Sequence, residues 1–84
     1  MSVQVSVRYF AGAAAAAGVT EERLTLDGPA TVASLCDALV ARRPALAPVM
    51  AVASLLLDEI AARDASAEVR DGASVDVLPP FAGG

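Results

Sequence analysis

The last six residues, Pro79-Pro80-Phe81-Ala82-Gly83-Gly84, form the segment whose composition could do chemistry. Proline has no backbone N–H, so the Pro79-Pro80 pair forbids further sheet pairing and stiffens the chain into an extended form. Glycine has no Cβ, so Gly83 and Gly84 can pass through a channel too narrow for any side chain. Fully extended, the segment reaches at most about 20 Å from the folded body. The carboxylate of Gly84 is therefore the group that this chain can present deep inside another protein.

A carboxylate in that position can be activated by adenylation and then converted to an acyl derivative or a thiocarboxylate. The sulfur of a thiocarboxylate is a good nucleophile and needs no neighbouring base. The alternative is a disordered end that finishes in two glycines by accident. Glycine makes up about 7% of residues, so such an accident occurs in roughly 0.5% of chains. The preceding prolines favour the chemical interpretation.

The composition excludes most other kinds of chemistry. The 84 residues include one cysteine, no histidine, ten carboxylates and six positive charges, for a net charge of −4. One cysteine without histidine can form neither a zinc site nor a His-dependent triad, so we expect no bound metal and no self-contained hydrolytic catalysis. The positive charges, all Arg, are scattered and give no basic face for nucleic acid.

The chain also carries no signal for export or membrane insertion. Its N-terminus lacks the basic region of a signal peptide. The longest nearly apolar stretch, 44–57, contains two prolines and is shorter than the roughly 20 residues of a membrane span. A lone cysteine cannot form an internal disulfide. We therefore expect a soluble, cytoplasmic protein without membrane contact.

Alternation of polar and apolar residues predicts a strand at each end of the chain. The first has Val3, Val5, Val7 and Tyr9 on its buried face, while Phe10 falls on the polar face. An alanine run predicts a short helix over 12–18, ended by Gly18. The alternation then returns over 20–26 and predicts a second strand that pairs antiparallel with the first. After an Asp71-Gly72 turn, the last strand over 74–78 places Leu78 and Asp76 on one face.

The clearest helix begins at Thr31, which can cap it, and ends before Pro44. Its apolar stripe consists of Val32, Leu35, Cys36, Leu39 and Val40. We interpret Cys36 as a small buried hydrophobe rather than a reactive thiol. Arg42 and Arg43 lie in the last turn, where cations complement the helix dipole, and this explains them better than an anion site does.

The segment 45–64 has two interpretations. Periodicity slightly favours a second helix that starts at Pro48. A short strand over 54–57, turning through Asp58-Glu59 into another strand, fits as well. With either choice, the order of elements predicts an α+β fold, a ubiquitin-like β-grasp whose mixed sheet has one main helix packed across it. We assign 1–78 to this domain and 79–84 to a flexible C-terminal Gly-Gly tail.

Three apolar residues are candidates for docking a partner. Phe10 and Leu78 lie on otherwise polar strand faces near the outlet of the tail, and Leu56 joins them because three successive leucines cannot all point inward. An exposed apolar patch beside the tail predicts a docking site, with Phe81 as an anchor at the neck of the tail. The alternative is that strand ends and twist bury these side chains.

The ending Val77-Leu78-Pro79-Pro80-Phe81-Ala82-Gly83-Gly84 resembles that of the small subunit of molybdopterin synthase, the MoaD-like sulfur carriers. The opening Val5-Ser6-Val7-Arg8-Tyr9-Phe10-Ala11 is similar to the first strand of that family, and the Asp71-Gly72 turn matches as well. The chain departs from the family at Ala73-Ser74, where acidic residues are common, and at Asp58-Glu59, where an Asn-containing segment is more usual. By this resemblance, 54–57 is a strand rather than part of a helix.

The resemblance implies a function for the tail. An E1-like adenylating enzyme would use ATP and magnesium to activate Gly84, and a sulfur donor would convert it to a thiocarboxylate. Residues 79–83 would insert into the large synthase subunit, within a heterotetramer, to deliver sulfur for the dithiolene of molybdopterin. The chain itself would bind no cofactor, and the catalytic side chains would lie mainly on the large subunit. The alternatives are a sulfur carrier for thiamine or cysteine synthesis, a ubiquitin-like protein modifier, and a purely structural module.

Overall fold

The computed structural model describes residues 1–80, and the predictions for Phe81, Ala82, Gly83 and Gly84 lie outside them. In chain order the elements are β1 (Ser2–Tyr9), α1 (Gly12–Ala17), β2 (Glu21–Asp27), β3 (Ala30–Thr31), α2 (Val32–Arg42), a 3-10 turn (Pro44–Leu46), α3 (Ala47–Met50), β4 (Ser54–Leu57), β5 (Ile60–Ala61), β6 (Glu68–Val69) and β7 (Ala73–Leu78). The two-residue strands β3 and β6 pair with each other and were not predicted from the sequence.

Five strands form the main sheet, in the order β2-β1-β7-β4-β5. β1 pairs antiparallel with β2 and parallel with β7, and β7 pairs antiparallel with β4. The predicted mixed sheet and the predicted antiparallel pairing of the first two strands are therefore confirmed. The last strand lies in the middle of the sheet, so the chain leaves the fold from its centre rather than from an edge.

The inner face of the sheet carries the core. The inward residues of β1 are at most 3% exposed, while their polar neighbours in the sequence are exposed, as the alternation predicted. α1 supplies Ala13 and Ala17, whose small side chains let the helix pack closely on the core. Gly18 ends α1 in the left-handed conformation (φ 78°), donating its N–H to the Ala14 carbonyl, as expected of a glycine C-cap.

The main helix, α2, packs across the inner face through Val32, Leu35 and Leu39. Thr31 caps it as predicted: its hydroxyl accepts from the Ser34 N–H at 3.2 Å, and the Ser34 hydroxyl accepts from the Thr31 N–H at 2.8 Å. This reciprocal pair is a capping box in which serine replaces the usual Glu or Gln. The predicted β-grasp architecture is confirmed.

The ambiguous segment contains both structures that the sequence suggested. A 3-10 turn and α3 occupy 44–50, followed by β4 and β5. The single longer helix favoured by periodicity is wrong, and the strand over 54–57 is confirmed. The helix ends early because β4 pairs with β7 in the sheet, a tertiary contact that outweighs local periodicity. Leu46, fully buried, anchors the turn to the core.

A cluster around Glu22 ties the elements together at one end of the sheet. The Glu22 carboxylate accepts from Arg42 Nε at 2.7 Å, from Arg43 Nε at 2.8 Å and from the Tyr9 hydroxyl at 2.5 Å. Arg43 Nη1 also donates to the Ala17 carbonyl at 2.8 Å. These contacts join β1, β2, α1 and the end of α2. The two arginines therefore do more than complement the helix dipole, a role that the sequence alone did not indicate.

Candidate functional site: the outlet of the tail and the face beside it

The tail begins at the end of the central strand. Phe10 donates its N–H to the Val77 carbonyl at 3.2 Å, which is the last backbone bond between the β1 end and β7. Pro79 is half-buried and Pro80 exposed, immediately after β7 ends at Leu78. Neither proline can donate a ladder hydrogen bond, so sheet pairing stops here as the sequence predicted. The last strand therefore ends between β1 and β4, two residues before the end of the described chain.

The three predicted docking residues lie on the outer face, around this outlet. Phe10 is 37% exposed, and Leu56 and Leu78 are half-buried. In the antiparallel register of β4 and β7, Leu78 lies opposite Ser54. Leu56 lies opposite Asp76, two residues further from the outlet along β7. We call Phe10, Leu56 and Leu78 the docking strip. The geometry brings the three side chains to one face without burying any of them completely.

An ion pair lies between the members of the docking strip. Arg8 Nε and Nη2 donate to the two carboxylate oxygens of Asp76 at 2.8 and 3.0 Å. Asp76 is only 7% exposed, although it belongs to the outer face, because Arg8 covers it and Leu56 flanks it. The Arg8 guanidinium also lies 5.7 Å from the centre of the Phe10 ring, within cation–π range. The pair neutralises the aspartate and holds Phe10 against the sheet.

The turn between β4 and β5 is fixed to β7 by Asp58. Its carboxylate accepts from the Ser74 N–H at 2.9 Å, and its own N–H donates to the Ser74 carbonyl at 2.8 Å. Asp58 and Glu59 have φ values of 50° and 70°, the left-handed pair required by a two-residue hairpin turn. Here the departure from the usual Asn-containing segment keeps the turn geometry and gives Asp58 a structural role.

Cys36 takes no part in this site. It is half-buried and packs against the core from α2. Burial raises the pKa of its thiol, with a further contribution from Asp37, so the reactive thiolate is disfavoured. These observations agree with the interpretation of Cys36 as a small hydrophobe.

Within residues 1–80, no group of three or more Cys, Asp or Glu side chains is arranged to hold a metal ion. In the same part of the chain, no helix has the length and apolar character needed to cross a bilayer.

Sequence comparison identifies the family. The ThiS family model matches residues 7–84, which include the first strand, the last strand and the whole tail. The chain belongs to the ThiS family. A curated member related to it, the molybdopterin synthase sulfur carrier subunit of Chlamydomonas reinhardtii, is 34% identical over 98% of this chain and 100% of that protein. The resemblance to MoaD-like sulfur carriers noted from the sequence motifs is thereby confirmed.

Solved structures of similar proteins share the ThiS-family fold. A putative molybdopterin converting factor subunit 1 from Pyrococcus furiosus superposes with a TM-score of 0.85 at 28% identity, covering 94% of this chain and 99% of that one. Small archaeal modifier protein 1 from Haloferax volcanii gives 0.84 at 30% identity, covering 96% and 99%. A complex of subunits 1 and 2 of the molybdopterin-converting factor from Helicobacter pylori gives 0.67 at 22% identity, covering 98% and 100%. This last likeness concerns the fold alone.

Sequence reasoning singled out the three residues of the docking strip, whose docking role stays a prediction, but missed the ion pair between them. Arg8 and Asp76 are 68 positions apart, and both occupy outward positions of predicted strands. Their alternation signals were visible, yet nothing in the sequence showed that the first and last strands are parallel neighbours with Arg8 opposite Asp76. Once that register is known, the pairing of opposite charges follows directly.

Proposed function

We propose that this chain is the sulfur carrier subunit of a molybdopterin synthase, holding sulfur as a thiocarboxylate on Gly84 for dithiolene formation in molybdenum cofactor biosynthesis. The observation that carries the proposal is the full-length similarity to a molybdopterin synthase sulfur carrier subunit. The outlet of the tail supports it, because the chain leaves the sheet centre at two prolines and has four residues left after them, ending in Gly83-Gly84.

The proposed chemistry takes place on the main chain. A carboxylate oxygen of Gly84 attacks the α-phosphate of ATP, with magnesium, on an E1-like adenylating partner, giving an acyl-adenylate and releasing pyrophosphate. A donor of sulfide-level sulfur then attacks the acyl carbon of Gly84, displaces AMP and leaves the thiocarboxylate. The thiocarboxylate sulfur displaces an oxygen leaving group of a pterin precursor, and water hydrolyses the resulting thioester, which leaves the sulfur on the pterin and returns the carboxylate. No side chain of residues 1–80 is needed for these steps, so the chain acts as a co-substrate, and the catalytic side chains belong to the partners. We propose the cytoplasm as the site of the reaction, because the adenylation step consumes ATP.

The docking strip would position the tail in those partners. Phe10, Leu56 and Leu78 surround the point where the tail starts, so a partner that covers them receives residues 79–83 in a defined direction. When a partner buries exposed apolar side chains beside a functional segment, the complex is stabilised by about 25 cal/mol for each Å² of apolar surface buried. The rigid Pro79-Pro80 base lowers the entropy that is lost on insertion. With a large subunit that itself dimerises, two copies of this chain would complete a heterotetramer.

Mass spectrometry tests the carrier role. After co-expression with the adenylating partner and a sulfur donor, the intact chain is expected to gain the mass difference between one sulfur and one oxygen. A chain lacking Gly84 serves as the control: it should gain nothing and keep the same melting temperature, because the packed core is built from residues between Val3 and Val77. No gain by the intact chain, under conditions that charge another carrier, would exclude the carrier function.

Calorimetric titration with the large subunit tests the docking strip. Phe10→Asp places a charge on the strip and should weaken binding at least tenfold with the fold unchanged. Ile60→Asp is the matched control, since Ile60 is an exposed apolar residue (72%) at the sheet edge formed by β5, outside the strip. Equal affinities of the wild type and Phe10→Asp would reject the strip as the docking site.

A protein modifier is the second candidate, favoured by the likeness to small archaeal modifier protein 1. In that case, the activated Gly84 would form an amide with a lysine of another protein, and conjugates would replace the thiocarboxylate. The same co-expression experiment separates the two functions, since conjugates appear as larger species that resist reducing agents. A carrier for thiamine or cysteine synthesis would form the thiocarboxylate but fail to supply the molybdopterin synthase large subunit.

A further inference from the structure

Strand β2 forms one edge of the main sheet, and no other residue of 1–80 pairs with its outward backbone groups. Within residues 1–80 it pairs with β1 alone. Tyr9 donates its N–H to the Thr20 carbonyl, and Gly28 donates its N–H to the Met1 carbonyl. In this register, the backbone groups of the even-numbered residues of β2 bond to β1. Because bonding alternates along an antiparallel strand, the N–H and C=O groups of the odd-numbered residues of β2 point away from β1. An edge of this kind can accept another strand.

The side chains of the same odd-numbered residues are exposed, and three of the four are charged, with both signs present. They are Glu21, Arg23, Thr25 and Asp27, all on the outer face of the sheet. None of them forms an ion pair among the described residues. Leu24 and Leu26 lie between them on the inner face. As far as the structure describes the chain, the edge therefore offers backbone groups without a partner, charges of both signs outside ion pairs, and two apolar residues.

We propose that β2 pairs antiparallel with β2 of a second copy of this chain, with the two-fold axis at Thr25. In this register Arg23 lies opposite Asp27 of the other copy, twice by symmetry, and Leu24 lies opposite Leu26. Directly opposed side chains in such a pair have Cβ atoms about 5 Å apart, which is close enough for an Arg–Asp ion pair. The odd-numbered residues then exchange backbone hydrogen bonds across the axis.

The neighbouring symmetric registers are disfavoured by charge or by a short overlap. An axis at Arg23 places the two Arg23 side chains opposite each other, and an axis at Leu24 opposes Glu21 to Asp27 twice. An axis at Glu22 pairs Glu21 with Arg23, but it leaves only three residues of each strand in register and opposes two Glu22 carboxylates that already bind arginines of their own chain. An axis at Leu26 also leaves only three residues of each strand in register. The register centred on Thr25 alone combines opposite charges on one face with apolar pairs on the other.

The dimer is expected to be weak and compatible with the proposed sulfur carrier. Five residues of each strand overlap, so the buried area is below the roughly 1,000 Å² of a stable interface and the association is transient. β1 and β7 separate β2 from β4 and its part of the docking strip. The two-fold axis directs the two β7 strands in opposite directions, so both tail outlets stay open.

Sedimentation equilibrium of the full chain at low ionic strength, from about 10 μM to about 1 mM, tests the dimer. The wild type should show a monomer–dimer equilibrium. Arg23→Asp and Asp27→Arg should each weaken it at least tenfold, because each opposes like charges twice. The double variant restores both ion pairs with reversed sign and should return to within about threefold of the wild type. Glu21→Gln is the matched control on the same strand and should leave the dimer dissociation constant unchanged.

Thr25→Pro gives an independent test that does not depend on charge. It removes an N–H that faces the free edge and that β1 does not use, so the fold is retained while the edge can no longer pair. Circular dichroism should show an intact fold and sedimentation a monomer. A wild type that stays monomeric throughout, a dimer that Thr25→Pro or the single reversals leave intact, or a double reversal without recovery each overturns the proposal. Tail charging does not enter these measurements, so they are independent of the carrier function.

Discussion

Replacing Glu22 by glutamine should cost the fold about 2–3 kcal/mol, because this one carboxylate holds three elements together. Its side chain is 8% exposed, and hydrogen bonds from Arg43, Tyr9 and Arg42 outweigh the cost of burial and lower its pKa from 4.5 to about 2. A pKa difference of that size corresponds to roughly 3 kcal/mol between the ionised and neutral forms. Arg42 is half-exposed, and water screens its charge, so the expected loss of stability is somewhat smaller than this free-energy difference.

The pH dependence of this cost provides the decisive measurement. A carboxyl group whose folded pKa is depressed stabilises the fold fully above its unfolded pKa, and this stabilisation is lost as the pH falls through the folded pKa. The free-energy difference between the wild type and Glu22→Gln should therefore be constant above about pH 5 and should shrink between about pH 4.5 and pH 2. Urea denaturation at a series of pH values measures it. Comparing the two proteins at each pH cancels the titration of the other carboxylates.

Glu68→Gln is the control for this experiment. Glu68 pairs with Arg70 at 3.4 Å, but both side chains are largely exposed (65% and 85%), so its loss should change stability by less than about 0.5 kcal/mol. A Glu22→Gln cost as small as that of the control would refute the reasoning. So would a large cost that stays the same down to pH 2, because the effect would then come from packing rather than from the charge.

Two backbone positions give further predictions, both measurable by urea denaturation. Gly18→Ala should destabilise the fold by about 1 kcal/mol, since Gly18 has φ +78°. Gly12→Ala is the control and should cost nothing, because Gly12 has open space around it and no positive φ. Equal effects of the two substitutions would contradict the role given to the left-handed backbone at Gly18. Glu59→Gly should stabilise the fold by about 0.5–1 kcal/mol, because Glu59 has a left-handed φ of 70° in the β4–β5 turn and glycine adopts it without strain. A loss of stability would show that contacts of the Glu59 side chain stabilise the fold by more than this strain destabilises it.

The docking strip illustrates how far a sequence pattern leads toward a site. Phe10 was identified because it interrupts a clean alternation, and Leu56 because three successive leucines cannot share one face of a strand. Both inferences need only the two-residue period of a strand. That the two lie on the same face as Leu78, around the outlet of the tail, depends on the pairing of β4 with β7 and on the position of β7 in the sheet.

Local sequence determined the elements whose signals are short-range. The alternation of β1, the Thr31 cap, Gly18 at the end of α1 and the prolines after β7 all act within a few residues, so they could be identified directly. The composition likewise predicts that the reactive group belongs to the main chain of the tail, since histidine is absent and the chain has a single cysteine, and this stays a prediction.

Tertiary structure alone decided what depends on residues that are distant in the chain. The segment 45–64 has a helical period, yet 54–57 and 60–61 are strands of the sheet, because pairing with β7 stabilises a strand that local propensity does not favour. Arg42 and Arg43 could each be assigned to a helix end, but their common partner Glu22 is 20 and 21 positions away. The Arg8–Asp76 pair spans 68 positions. Such contacts form because the sheet register brings distant strands within reach of one another, and a register is a property of the whole fold.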